Sequence, residues 1–208
     1  MSYALFDKPH KVTAMISYTS PVYGKLFSTN VALTYQGGSG QRYSYTMNET
    51  VDFNADGQKG NSVMYVPTAV EVGQMNWSDP DDAAKFENFI RSDKYLYNHR
   101  GEWSKRYAGI APWENHFDLH IAENIIYDKK HGRKVELMVD ILNIGNLINR
   151  GWGINNSSAY NLQILEVKDV AKVADGKYVP TYHFNPKTIN MSDFYTRWRC
   201  QIGARVTF

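Results

Sequence analysis

The chain has 208 residues and a formal charge of +2, from 23 basic and 21 acidic side chains spread along its length. No basic block tracks a phosphate backbone, so nucleic acid is not an expected partner. The single cysteine, Cys200, excludes an internal disulfide framework and a Cys-based zinc site, and no apolar run reaches the roughly 18 residues of a membrane-spanning helix.

The first element in chain order is a strand from Lys11 to Thr19. There Val12, Ala14, Ile16 and Tyr18 alternate with Thr13, Met15 and Ser17, the period that sends successive side chains to opposite faces of a sheet. A second strand between Lys25 and Gln36 sets Phe27, Val31, Leu33 and Tyr35 against Ser28, Asn30, Thr34 and Gln36. The connection 37–115 is too long to lack structure. It holds an expected short helix near 80–91, with Ser78 or Asp79 as cap, Pro80 in the first turn, and Phe86, Phe89 and Ile90 on one face. Alternation returns at 116–127, where Phe117, Leu119 and Ile121 oppose His116, Asp118 and His120. It continues at 134–142, where Val135, Leu137, Val139 and Ile141 oppose Glu136 and Asp140. Weaker strands are expected at 160–170 and 178–185, the latter marred by Pro180. The last strand is the cleanest: Phe194, Thr196, Trp198, Cys200, Ile202, Ala204, Val206 and Phe208 face one way, and three arginines lie on the other side. Its expected fifteen residues far exceed the usual strand of about 5–6.

Short turns at 20–24, 129–133 and 173–177 alternate with longer connections at 37–115, 146–159 and 186–192. Short turns on one rim and long loops on the other are the hairpin layout of outer-membrane barrels. The reading is therefore all-β: about seven antiparallel strands of a larger transmembrane barrel, since such barrels need at least about eight strands and leave no edge in lipid. The N-terminus, Met1 to His10, has no charged segment followed by an apolar one and is not a secretory signal. The chain is accordingly expected to be a fragment whose missing strands and export signal lie upstream.

Several stretches resemble one family. They are Phe6-Asp7-Lys8-Pro9-His10, Tyr43-Ser44-Tyr45, Asp52-Phe53-Asn54-Ala55-Asp56-Gly57 with Gly60-Asn61, and Tyr65-Val66-Pro67. Further on come Ala111-Pro112-Trp113, Phe117-Asp118-Leu119, Asp140 to Asn149, and the terminal Phe208. Together, and in this order, they resemble the C-terminal barrel portion of TonB-dependent outer-membrane receptors, in the Bacteroides-type branch with a carboxypeptidase-regulatory-like N-terminal domain. The resemblance implies a barrel of about 22 strands in a bacterial outer membrane, built by the barrel-assembly machinery, coupled to a TonB complex through an upstream plug, and taking up a large nutrient. A surface lipoprotein is a further partner the resemblance raises. The plug domain is absent from residues 1–208, so the fragment alone is not expected to transport. Two other readings stand beside it: a passive porin or adhesion barrel, and a soluble sugar-binding β-sandwich.

Phe208, with Val206 and Ala204, resembles the signal read by the assembly machinery. Asp52, Asn54 and Asp56 carry the oxygen spacing of a calcium loop, but Val63 stands where a bidentate Glu belongs, and an Asx-rich turn is the simpler reading. A structural calcium ion is the one cofactor considered. His116, Asp118 and His120 span about 13 Å along a strand, too far to share one ion; with Glu136, Asp140, Arg197, Arg199 and Arg205 they read as a hydrated lumen. Tyr43, Tyr45, Trp77, Trp103, Trp113 and Trp152 are loop aromatics able to stack on sugars or peptides. Tyr18, Tyr127 and Phe208 suit an aromatic girdle. Gly37-Gly38-Ser39-Gly40 lacks the Lys of a phosphate loop, and no nucleophile–base motif is present, so no enzyme activity is expected.

Overall fold

The structure is a computed structural model describing residues 2–48, 57–157, 160–172, 176–186, 190–191 and 196–208. In chain order the strands are β1 (Lys11–Thr19), β2 (Phe27–Gly38), β3 (Arg42–Asn48), β4 (Tyr65–Val66), β5 (Asn76–Trp77), β6 (Glu102–Trp103) and β7 (Gly109–Ile110). They continue with β8 (Glu114–Asp128), β9 (Arg133–Leu142), β10 (Asn156–Ser157), β11 (Asn161–Lys172), β12 (Tyr178–Phe184), β13 (Asn190–Met191) and β14 (Arg199–Thr207). The helices are α1 (Ala69–Gln74), α2 (Asp82–Ser92), α3 (Lys94–Asn98) and α4 (Ile144–Ile148). The chain is mostly β and divides into two compact units, one of Met1–Asp7, Gln41–Ala111 and Ser158–Asn190, the other of Lys8–Gly40, Pro112–Ser157 and Met191–Phe208.

The second unit is built on one antiparallel sheet in the order β1-β2-β8-β9-β14. Its register sorts the alternating side chains into continuous rows. Leu33, Leu119, Ile141 and Cys200 form one row; Val31, Ile121, Val139 and Ile202 the next. Ser28, Asn124 and Glu136 share a row on the opposite face with Arg205. Short turns join β1 to β2 and β8 to β9 at the end where Thr207 pairs with Lys134. Longer connections join β2 to β8 and β9 to β14 at the other end, where Gly38 pairs with Glu114 and Arg199 with Leu142. In these five strands only Ser28, Gly37, Glu114 and Ala122 are buried.

The first unit holds the hydrophobic core. A mixed sheet in the order β5-β12-β11-β3-β7 is packed with Tyr45, Met64, Phe86, Ile90, Leu96 and Ile164, all fully buried or nearly so. β3 is buried along almost its whole length, and β11 is apolar on both faces over Leu162, Ile164, Leu165 and Val167. Such strands belong inside a layer. Helix α1 carries a capping box in which the Thr68 hydroxyl accepts from the Glu71 amide and Glu71 accepts from the Thr68 amide at 2.7 Å. Helix α2 buries Phe86 and Ile90, sets the Phe86 and Phe89 rings on Phe184, and its Asp82 accepts from the Phe184 amide at 3.0 Å and lies 2.7 Å from His183 Nδ1.

Four expectations change. The sheet of about seven strands is five, because 160–170 and 178–185 become β11 and β12 of the core unit, where β11 runs parallel to β3 and β12 parallel to β5. Buried apolar residues on both sides of β11 draw it into a layered core, where a two-faced wall would need one polar side. The last strand has nine residues in place of fifteen, and 192–195 lie outside the described residues. Segment 37–115 contributes Gln41–Ala111 to the core unit, with three helices among its described residues, of which only α2 was legible. The cap of α2 is Asp81, which makes no side-chain cap bond; its amide instead donates to Asp79 Oδ1 at 2.8 Å.

Candidate functional sites: a two-faced sheet and two aromatic clefts

One face of the five-stranded sheet is a band of Val12, Ile16, Val31, Leu33, Leu119, Ile121, Val135, Leu137, Val139, Ile141, Ile202 and Val206. Eight residue steps separate Phe27 from Tyr35 on β2, or about 27 Å of strand. Aromatics mark both ends. Tyr35 and Phe117 lie with ring centroids 4.9 Å apart at one end; Tyr23 and Phe27 stack at 5.9 Å at the other. Tyr127 and Phe208 fall at this second end by register, and the Tyr127 hydroxyl donates to the Thr207 carbonyl at 3.3 Å.

Glu123 is the one carboxylate on this face within the described strands. Its partners lie beside the Tyr23 end: the Thr29 hydroxyl donates to Oε2 at 2.6 Å and the Tyr23 hydroxyl to Oε1 at 2.9 Å. The sequence reading missed this cluster. Its signal is an acid in an apolar register facing Thr29 across the ladder.

The opposite face is polar and internally paired. His120 Nδ1 lies 2.6 Å from Asp140 Oδ1, Lys134 Nζ donates to Asn124 Oδ1 at 2.7 Å, and Arg205 lies 3.7 Å from Glu136. His116 and Asp118 share this face by register, as alternation placed them. Asp118 Oδ1 accepts from the Asn143 amide at 2.8 Å. Asn143, in left-handed conformation with φ 54°, also donates from Nδ2 to the carbonyls of Gly153 and Thr196.

The six loop aromatics do not form one site. Tyr43 and Tyr45 are 5% and 1% exposed, core residues of the first unit. Trp77 packs on Phe86 and Tyr182 and donates from Nε1 to the Val72 carbonyl at 2.9 Å. Tyr43 and Tyr45 fill the interior of that unit, and Trp77, half-buried on the edge strand β5, packs against the same core. Trp103 is exposed, edge-on to Tyr65. Trp113 and Trp152 belong to the other unit, where they wall one cavity. Asp52, Asn54 and Asp56 lie outside the described residues; among those described no group of metal-ligating side chains converges.

Two clefts stand out. In the first unit a cleft of about 520 Å³ is lined by Tyr43, Tyr45, Asp93, Tyr95 and His99. Asp93 is its hub: Oδ1 caps α3 by accepting from the Leu96 amide at 2.9 Å, and Oδ2 accepts from the Tyr45 hydroxyl. Burial raises the Tyr45 hydroxyl well above the ordinary phenol range, and nearby Tyr43 and Asp93 push it further. It therefore stays a proton donor. Tyr95 stacks on His99 at 4.2 Å. In the second unit a cavity of about 520 Å³ is walled by Trp113, Phe117 and Trp152, with Asn115, Ile154 and Asn156. The indole Nε1 of Trp113 donates to Asn115 Oδ1 at 3.0 Å, and the Tyr35 hydroxyl to the same oxygen at 2.8 Å. A Cβ at Gly37 would overlap the Tyr35 hydroxyl and crowd Trp113, so the close seating of these rings requires glycine there.

Comparison of the chain with protein-family models, curated proteins and solved structures finds no match.

Proposed function

We propose that the chain supplies part of the wall and the surface loops of a TonB-dependent outer-membrane receptor, which takes up a large nutrient such as an oligosaccharide, peptide or chelate. The observation that carries this reading is the five-stranded sheet itself. It has one apolar and one polar face, and among its described strand residues the large apolar side chains are all at least partly exposed, Ile16 and Ile202 at 71% and 80%. A bilayer on one side and water on the other satisfies both faces. The β1 and β14 edges need partners in lipid, and five strands cannot close, so this reading requires further strands to complete a barrel of roughly 22.

In this reading the turns beside Phe208 are periplasmic, and the core unit is assembled from extracellular loops. The barrel-assembly machinery reads the Ala204, Val206 and Phe208 register. An upstream plug couples the receptor to TonB, and a surface lipoprotein is a further partner. In this reading the protein performs no covalent chemistry; Asp52, Asn54 and Asp56, the calcium candidates of the sequence, lie outside the described residues.

The test is cell fractionation with antibody to this chain. The expected result is an outer-membrane band much larger than 23.9 kDa that migrates faster before boiling than after. Its gene should encode a plug and a TonB-contacting segment; a gene without them would assign the chain to a passive barrel. A soluble monodisperse monomer would overturn the membrane reading.

A further inference from the structure

The cavity at Trp113 and Trp152 opens on an unexpected side of the wall. Tyr35, Gly37, Asn115 and Phe117 share the register of the apolar face, and Leu33 and Leu119 continue that register directly below them. Gly145 of α4 lies where an added Cβ would sit 3.8 Å from Phe117 and 3.7 Å from Trp152. Trp152 thus stands beside Phe117 over the apolar band, away from the polar lumen face. The cavity lies at the end opposite Phe208, where the long connections leave the sheet. Next to it α4 exposes Leu147 and Ile148.

We infer that this cavity binds the sugar headgroup of an outer-leaflet glycolipid, whose acyl chains run down the sheet over Phe117, Leu119 and Ile121. The inference rests on the membrane reading above and extends it to a lipid partner. Two half-exposed indoles and a phenyl ring provide stacking faces for a pyranose ring. The side-chain amides of Asn115 and Asn156 line the same space and offer donors and acceptors to hydroxyls. No charged side chain lines it among the described residues, so the recognised part is the neutral ring and not a phosphate. The volume falls within the roughly 300–1,000 Å³ of small-molecule sites. A nutrient bound for the lumen would meet the polar face; a ligand seated here has an apolar wall beneath it, which a soluble sugar does not use.

The experiment takes the full-length receptor from outer membranes in mild detergent and measures co-purified glycolipid by mass spectrometry. Trp113→Ala/Trp152→Ala should lower glycolipid per barrel at least about five-fold, while the boiling-dependent gel shift stays intact and reports a folded barrel. Unchanged glycolipid in a folded double variant would overturn the site. Two probes separate the sources: the intact glycolipid from the same membranes, and its water-soluble sugar after alkaline removal of the acyl chains. The intact lipid should displace bound glycolipid and the deacylated sugar should not; equal competition would overturn the lipid assignment in favour of a soluble sugar. Receptor found only in the soluble fraction would overturn the membrane reading and this site together.

Discussion

Glu166 of β11 shows how the core unit is tied at the level of single atoms. Lys168 Nζ donates to it at 2.8 Å, Asn185 Nδ2 at 2.7 Å and Asn48 of β3 at 3.4 Å. The Lys168 and Asn185 bonds, in that order, hold its pKa down to about 2 despite some opposing burial. A carboxyl depressed in the folded state contributes stability that is complete above its unfolded value and lost as pH falls toward the folded one. The loss therefore runs from about pH 4.5 down to about 2. Pepsin, active across that window, should cut β3 and β11 increasingly fast as pH drops, and Glu166→Gln should flatten this dependence. Identical profiles in the two proteins would remove Glu166 from the mechanism. The buried Arg42 shows the same economy: it pairs with Asp7 at 2.7 Å, reaches the Tyr107 carbonyl and lies 4.3 Å from the Tyr3 ring. A guanidinium so placed needs all its donors satisfied.

At the scale of elements, the sheet makes a sharper demand. Ile202 and Gln201 are neighbours on β14 with the same strand environment but opposite faces. If the apolar band faces lipid as proposed, Ile202→Lys places an ammonium in its middle row and should cost about 2–4 kcal/mol; Gln201→Lys on the polar face should cost little. Urea unfolding of the barrel from bilayers measures both, and equal penalties would refute the assignment of faces. The strands of this sheet were legible because an exposed two-faced wall writes a period of two directly into the chain. Residues 11–19, 27–36 and 134–142 carry it almost without interruption. β11 and β12 carried a weaker version, and here the pattern misled: Leu162, Ile164, Leu165 and Val167 answer to burial on both sides, which alternation alone does not distinguish from a wall. Of the candidate site residues, Trp113 and Trp152 meet, while Tyr43 and Tyr45 were read as loop platforms because nothing local to Tyr43-Ser44-Tyr45 shows that helices 40 to 50 residues on will cover it. Asp93 was missed for the same reason. Its cap of α3 is local, but its bond to Tyr45 spans 48 residues.

At the scale of the molecule, Phe208 is 94% exposed at the end of a strand whose outward residues are all uncovered. Water offers such a side chain no packing, whereas a receptor for the strand or the membrane interface does. Deleting Phe208 from the full-length protein should reduce its outer-membrane level several-fold, read by quantitative blotting of the fraction that shifts on boiling. An undiminished level would dissociate this residue from assembly.

The pairing of β3 with β11 has a consequence for how such a chain can change over time. β3 belongs to the segment between β2 and β8, and β11 to the segment between β9 and β14, yet the two lie side by side from Asn161–Ser44 to Glu166–Asn48. Each segment enters and leaves the sheet at adjacent strands, so either looks like a cassette that recombination could exchange. Neither is one. A foreign segment in place of 41–111 would leave β11 and β12 paired only with each other, each with one bare edge and without the core residues that 41–111 supplies, so the two segments must be inherited, or transplanted, as a matched pair.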